Sequence, residues 1–170
     1  MTIYVYSDAP PEDAAALFLD YEHHVAYIPA LLRAKISRIV DKATTEVDYT
    51  VSVPVFPDED YTVRNHISHP GTDYRVDWTL VRASSTRATV GHALFQPYVN
   101  RRTQRSGTLL EYYNFVTPGS KLAGLPFVRS RSLSQIRETA GAIAHQAELE
   151  RGRDPEMRPR LTALRTAVAP

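Results

Sequence analysis

Residues 61–80 read Tyr61-Thr62-Val63-Arg64-Asn65-His66-Ile67-Ser68, then His69-Pro70-Gly71-Thr72-Asp73, then Tyr74-Arg75-Val76-Asp77-Trp78-Thr79-Leu80. Apolar and aromatic side chains alternate with polar ones on both sides of a Pro-Gly break, with Asn65 the one polar residue in the apolar set. That is the pattern of two half-buried strands joined by a turn. The alternation continues outward. Upstream, Val47, Tyr49, Val51 and Val53 alternate with Glu46, Asp48, Thr50 and Ser52, and Pro54 to Asp60 has turn punctuation. Downstream, Ala83 to Thr86 is a polar hairpin loop and Ala88, Val90, His92 and Leu94 carry the period on. After a basic connection, Thr108 to Val116 forms a last strand that stops at Thr117-Pro118-Gly119. Consecutive strands with short links make an antiparallel meander.

The flanks change period. Ile3 to Tyr6 is a short strand, and Ser7-Asp8-Ala9-Pro10-Pro11-Glu12-Asp13 supplies a helix start, with prolines near the first turn and acidic residues at the positive end of the helix dipole. Ala14 to Tyr21 is expected to be a helix with Leu17 and Phe18 as its contacts. His24 to Leu32 is expected to be a second short helix or helical turn, with Val25, Ile28 and Leu32 on one face and Pro29 working against regularity. Period two begins again at Ala34. Near the C-terminal end, Leu133, Ile136, Ala140, Ile143 and Ala147 form one helical stripe. That helix starts somewhere between Ser120 and Ser130, with Pro126 a candidate interruption.

The expected fold class is therefore α+β: a curved antiparallel sheet of about seven strands, two short helices after the first strand, and a long C-terminal helix. A sheet with one apolar face must cover it, and only that helix is long enough. Residues 1–150 form one domain in this reading. Residues 151–170, rich in Arg, Pro and Asp, form a loosely attached or weakly helical tail, with Leu161, Leu164 and Val168 as its apolar positions.

Composition narrows the function. The net charge of +1 on 170 residues gives no bulk field for nucleic acid. The absence of cysteine removes disulfides and thiolate chemistry, and fits a cytoplasmic, reducing compartment. Met1 to Ser7 lacks the features of a secretory signal, and no run of about 18 apolar residues could span a membrane. Ten tyrosines suit the wall of a cavity of mixed polarity, each giving apolar area with one hydrogen-bonding tip.

Several segments also resemble a known family. Leu19-Asp20-Tyr21-Glu22, Tyr27-Ile28-Pro29, Val76-Asp77-Trp78, and Thr108-Leu109-Leu110-Glu111-Tyr112 leading into Thr117-Pro118-Gly119 resemble the START/SRPBCC superfamily, within it the polyketide cyclase/dehydrase and coenzyme Q-binding branch. The resemblance covers residues 2 to about 150. It implies a helix-grip fold with a deep cavity. Members bind sterols, phospholipids, quinones, plant hormones or polyketides, and some catalyse cyclisation or aromatisation, so fold alone does not choose a function.

Strand parity nominates Tyr49, Tyr61, Asn65, Tyr74, Trp78, His92, Tyr112 and Asn114 as the inward face, with Ile136, Ala140 and Ile143 facing them from the helix. A mostly apolar cavity with a few polar groups is the composition of a small-molecule site. The expected function is non-catalytic binding, with transport or sensing, of a lipid, sterol, quinone or polyketide. A polyketide cyclase or aromatase using His92 and a cavity tyrosine is the alternative, and an interaction module is a third. No metal site and no cofactor is expected. His66 and His69 fall on opposite strand faces, and His23 and His24 are expected at the surface. Arg101, Arg102 and Arg105 beside Tyr98 suit either transient contact with an anionic membrane surface or a plain solvated loop. Thr117 to Phe127, with Leu122 and Leu125, reads as a gate or as an anchor for the helix start.

Overall fold

A computed structural model describes residues 1–53, 57–119 and 126–153. The elements run β1 (Thr2–Ser7), α1 (Pro11–Phe18), a 3-10 turn (Tyr21–Ala26), β2 (Leu31–Ile39), β3 (Thr44–Val51), β4 (Glu59–Ser68), β5 (Tyr74–Ala83), β6 (Ala88–Val99), β7 (Ser106–Thr117) and α2 (Pro126–Arg153). The seven strands form one curved, wholly antiparallel sheet in the order β1-β7-β6-β5-β4-β3-β2. β2 to β7 are a simple meander. β1 closes against β7, so α1 and the 3-10 turn carry the chain from one edge of the sheet to the other.

The registers place side chains in rows across the inner face. One row is Thr45, Asn65, Trp78, Gly91 and Asn114. The next is Ile67, Val76, Ala93, Tyr112 and Ile3, and the one after it Tyr74, Phe95, Leu110 and Val5. The last two rows are packed by α1, whose Phe18 meets Trp78 and Phe95 at ring-centroid distances of 6.0 and 5.6 Å. Leu17, Phe95, Leu110, Val76 and Ile143 are fully buried there.

α2 lies over the same face and is tied down along its length. Ser7 Oγ donates to the Ala144 carbonyl at 3.0 Å and the Asp8 N–H to Glu148 Oε1 at 2.9 Å. Nearer the start of the helix, Gln135 Nε2 donates to the Ser52 carbonyl at 3.3 Å. Ala140, Ile143, Ala144 and Ala147 form the buried stripe. Small side chains on α2 and in α1 (Ala14, Ala15) let the two helices come close over the sheet. Among the described residues no helix is long and apolar enough to cross a membrane.

Several expectations change. Pro126 opens α2 instead of interrupting it, as suits a residue with no N–H to lose at a first helical position. α1 begins at Pro11 and ends at Phe18, for the same reason at its start. The second short helix is a 3-10 turn ending at Ala26. Leu31 and Leu32 already belong to β2, and Val25 and Leu32 are exposed, so the three-residue face does not form. Pro29 is the cause, since it disfavours helical backbone in the residue before it. Leu122, Leu125 and residues 154–170, which carry the centre of the expected gate and most of the expected tail, lie outside the described residues.

His24 is also corrected from surface to core. It is 3% exposed, packed among Phe18, Tyr21 and Tyr27, and its Nε2–H donates to the Phe18 carbonyl at 2.9 Å. Desolvation pushes its pKa down to about 4, against the opposing pull of the backbone carbonyls. The unfolded chain, with an ordinary imidazole near 6.5, then binds a proton that the folded chain refuses. His24 therefore leaves stability intact above about pH 6.5 and erodes it as the pH falls towards 4, by about 1.4 kcal/mol per unit. Urea unfolding across that window should show the slope. His24→Gln, which keeps a donor for Phe18 but does not titrate, should flatten it.

Candidate functional site

The inner face beyond the α1 plug begins at the Asn65–Trp78–Gly91–Asn114 row. Trp78 on β5 is registered against Gly91 on β6, and a Cβ at position 91 would collide with the Trp78 ring and the Tyr113 carbonyl oxygen. The missing side chain lets the indole lie across β6. Its Nε1–H then reaches Asn114 Oδ1 on β7 at 3.4 Å, and the same oxygen accepts from Thr89 Oγ1 at 3.3 Å. The indole also stands 5.2 Å from the Tyr112 ring. Trp78 thus forms a floor held by Phe18 below and Asn114 to the side.

Above this floor, Asn65 is 4% exposed, and its Nδ2 is buried with no hydrogen-bond partner among the described residues. Tyr49 and Tyr61 face each other across β3 and β4 with ring centroids 5.5 Å apart. Burial raises the phenol pKa of Tyr21, Tyr49, Tyr61 and Tyr112, in the case of Tyr61 to about 12. For Tyr49 the neighbouring phenols of Tyr21, Tyr61, Tyr112 and Tyr27 add to the effect, so five tyrosines gather around one interior region. Burial is the leading cause of the shift in each of Tyr21, Tyr49, Tyr61 and Tyr112. All are held in the neutral form and offer O–H groups.

Of the residues nominated from parity, Tyr49, Tyr61, Asn65, Trp78, Tyr112 and Asn114 line this part of the inner face, with Ile136 opposite on α2. Tyr74, Ala140 and Ile143 face inward too, but within the packed core; Tyr74 stacks edge-on against His69 at 4.2 Å. His92 does not belong. β6 turns Thr89, Gly91, Ala93 and Phe95 inward, so His92 lies on the outer face. There it pairs with Glu111 Oε1 at 2.9 Å and stacks on Tyr113. Hydrogen bonds from His92 and Tyr4, with the Arg75 charge, hold the Glu111 carboxyl below its usual range despite partial desolvation. The parity of β6 misleads because this strand buries small residues: Gly91 and Ala93 give way to the large rings of its neighbours, while Val90 is exposed. Tyr21, Tyr27 and Gly91 carry no signal in strand alternation of the kind that nominates the others. The only pointer to Gly91 is its fixed distance from Phe95, a parity that only the large residue betrays.

At the far end of β4, Glu59 is the one acidic side chain of inward parity on the described strands. Its carboxylate accepts from the Ser85 and Thr86 N–H groups at 2.9 and 2.7 Å and from the Ser85 hydroxyl, which bolts the β5–β6 hairpin to β4. Arg105, in the β6–β7 hairpin, pairs with Asp8 at 3.0 Å, so part of the basic cluster is neutralised within the fold.

No family model and no curated protein matches the sequence. Solved structures do match in three dimensions. A protein from Thermus thermophilus superposes with a TM-score of 0.68 at 14% identity over 96% of this chain and 97% of that one. A STAR-related lipid transfer protein from Xanthomonas axonopodis gives 0.69 at 14% over 86% and 84%, and the Zhui aromatase/cyclase from Streptomyces sp. R1128 gives 0.65 at 14% over 88% and 93%. The chain has the helix-grip fold of the START superfamily. In helix-grip terms, β2 to β7 are the grip, α2 is the gripped helix, and the tyrosine-lined region lies between them.

Because Trp78 needs the space over Gly91, Gly91→Ala should cost about 1–3 kcal/mol through overpacking. It should also displace the indole. Denaturant unfolding reads the first effect, and a red shift in emission from Trp78, the single tryptophan of the chain, reads the second.

Proposed function

We propose that this chain binds a hydrophobic small molecule between the inner face of its sheet and α2, and carries or senses it without transforming it. The observation that carries the reading is the buried Nδ2 of Asn65, which has no hydrogen-bond partner among the described residues and sits in the midst of an apolar and aromatic wall. Leaving such a group unpaired costs on the order of 1–3 kcal/mol, so a polar atom of a bound molecule is a natural partner for it. The convergent tyrosine hydroxyls add further hydrogen-bonding groups, and the rest of the wall contributes burial.

Neighbouring solved structures include both a lipid transfer protein and an aromatase/cyclase, so the fold admits either use. The local chemistry favours binding. The cyclase alternative relies on His92 as proton carrier, and His92 sits on the opposite side of the sheet with Glu111. The interior tyrosines, their pKa values raised by burial, are donors and not bases near neutrality.

Protein isolated under mild conditions, or incubated with a total lipid extract, should carry a hydrophobe in native mass spectrometry. Asn65→Leu should lower its occupancy about tenfold, as expected for one buried hydrogen bond. A chain that takes up no hydrophobe from either source would refute the reading.

A further inference from the structure

The inner face is not only apolar but, Glu59 apart, uncharged, and this narrows what the site accepts. Across β1 to β7, the inward positions among the described residues are apolar, aromatic or neutral polar, apart from Glu59, and its carboxylate is engaged by Ser85 and Thr86. Charged side chains on the other face have partners there: Glu46 pairs with Arg64, Asp48 with Arg82 and Arg75 with Asp77, while Asp48 also accepts from Thr62 and Glu111 bonds to the His92 imidazole. The α1 side contributes Phe18, His24, Tyr21 and Tyr27. His24 is held neutral by burial and has its Nε2–H committed to Phe18.

From this arrangement we infer that the ligand is electrically neutral and carries a hydroxyl or carbonyl group that sits deep, at the Asn65 amide, rather than a charged head group. The inference rests on the binding function proposed above. Asn65 lies in the row next to the part of the inner face packed by α1, registered against Trp78, and far along β4 from Glu59. A carboxylate, phosphate or ammonium at that depth would lose its hydration and find no counter-charge among the described inward residues of the sheet apart from the engaged Glu59. Burial of an unpaired ion costs far more than burial of a neutral polar group. A hydroxyl or carbonyl needs only the amide and phenol groups that are present. Free fatty acids, alkylamines and phospholipid heads are therefore disfavoured at Asn65, and sterol-like alcohols, ketones and quinone-like carbonyls are favoured.

The test uses four probes with one ten-carbon skeleton: decanol, decane, decanoate and decylamine. Binding to the full chain at neutral pH is followed through the emission of Trp78, the only tryptophan and part of the site wall. Decanol should bind at least about tenfold more tightly than decanoate or decylamine, and Asn65→Leu should reduce decanol to the affinity of decane. The isosteric Asn65→Asp, which places an acid at the same point, should bring decylamine above decanol and guards against a packing effect of leucine. Decanoate or decylamine binding as well as decanol would overturn the neutral-ligand inference while leaving hydrophobe binding intact. An unchanged decanol affinity in Asn65→Leu would overturn the placement at Asn65. Binding of none of the four would overturn both this inference and the function on which it rests.

Discussion

The passage of the Trp78 indole over Gly91 is the contact on which the interior is organised. It joins three strands: the ring starts on β5, crosses β6 where no side chain stands in the way, and finishes at the Asn114 amide on β7. That crossing fixes which face of β6 is inward, because the indole occupies the inner side of Gly91 and forces its parity on Thr89, Ala93 and Phe95. It also divides the space under α2. On one side of the indole, Phe18, Phe95 and Leu110 pack as an ordinary apolar core. On the other, large tyrosines and the Asn65 amide face one another. The plug and the site are thus two sides of one aromatic partition.

A second organising constraint is the segregation of charge. Alternation along a strand sends every second side chain to the other face, and here the two faces divide by chemistry. The outer face carries cross-strand pairs and the Arg75–Asp77 pair within β5, each partly exposed and each of small net worth. Their value lies less in stability than in register. Glu46 opposite Arg64 and Asp48 opposite Thr62 match only in the observed pairing, and a slip by one residue would carry these charges into the interior. The neutrality of the inner face is therefore the counterpart of the same alternation. It follows from the folding pattern, and it sets the chemistry open to a ligand.

Much of this could be read from the residues. The runs 46–53, 61–68 and 74–80 declare their faces because each inward set contains Val, Ile, Tyr or Trp and each outward set is charged. The α2 stripe is equally plain. β6 is different. Its inward positions are Thr89, Gly91, Ala93 and Phe95, while its outward positions include Val90 and Leu94, so counting apolar residues selects the wrong face and carries His92 inside. The physical reason is cross-strand compensation: Trp78 and Phe18 fill the volume that Gly91 and Ala93 vacate, and no reading of one strand alone sees its neighbours. The segment from Tyr21 to Leu32 misleads for a related reason. Val25, Ile28 and Leu32 have helical spacing, yet Pro29 and the need to reach the far edge of the sheet turn the chain into β2 instead.

His24 shows how that crossing segment contributes to the site. The chain between α1 and β2 must run across the end of the sheet, and its backbone leaves the Phe18 carbonyl at the end of α1 without a helical partner. The buried imidazole supplies the missing donor. In the same stroke its ring orders Phe18, Tyr21 and Tyr27, which meet it at centroid distances of 5.9, 5.6 and 5.7 Å. Phe18 is the underside of the Trp78 partition, whereas Tyr21 and Tyr27 belong to the tyrosine group above it. One neutral histidine, on the opposite side of the sheet from His92 and its Glu111 partner, therefore ties the closing of a helix to the packed core on one side of the partition and the tyrosine group on the other. Protonation of that histidine would strain the α1 end, the aromatic floor and the tyrosine wall together, so the integrity of the site and the stability of the fold decline over the same range of pH.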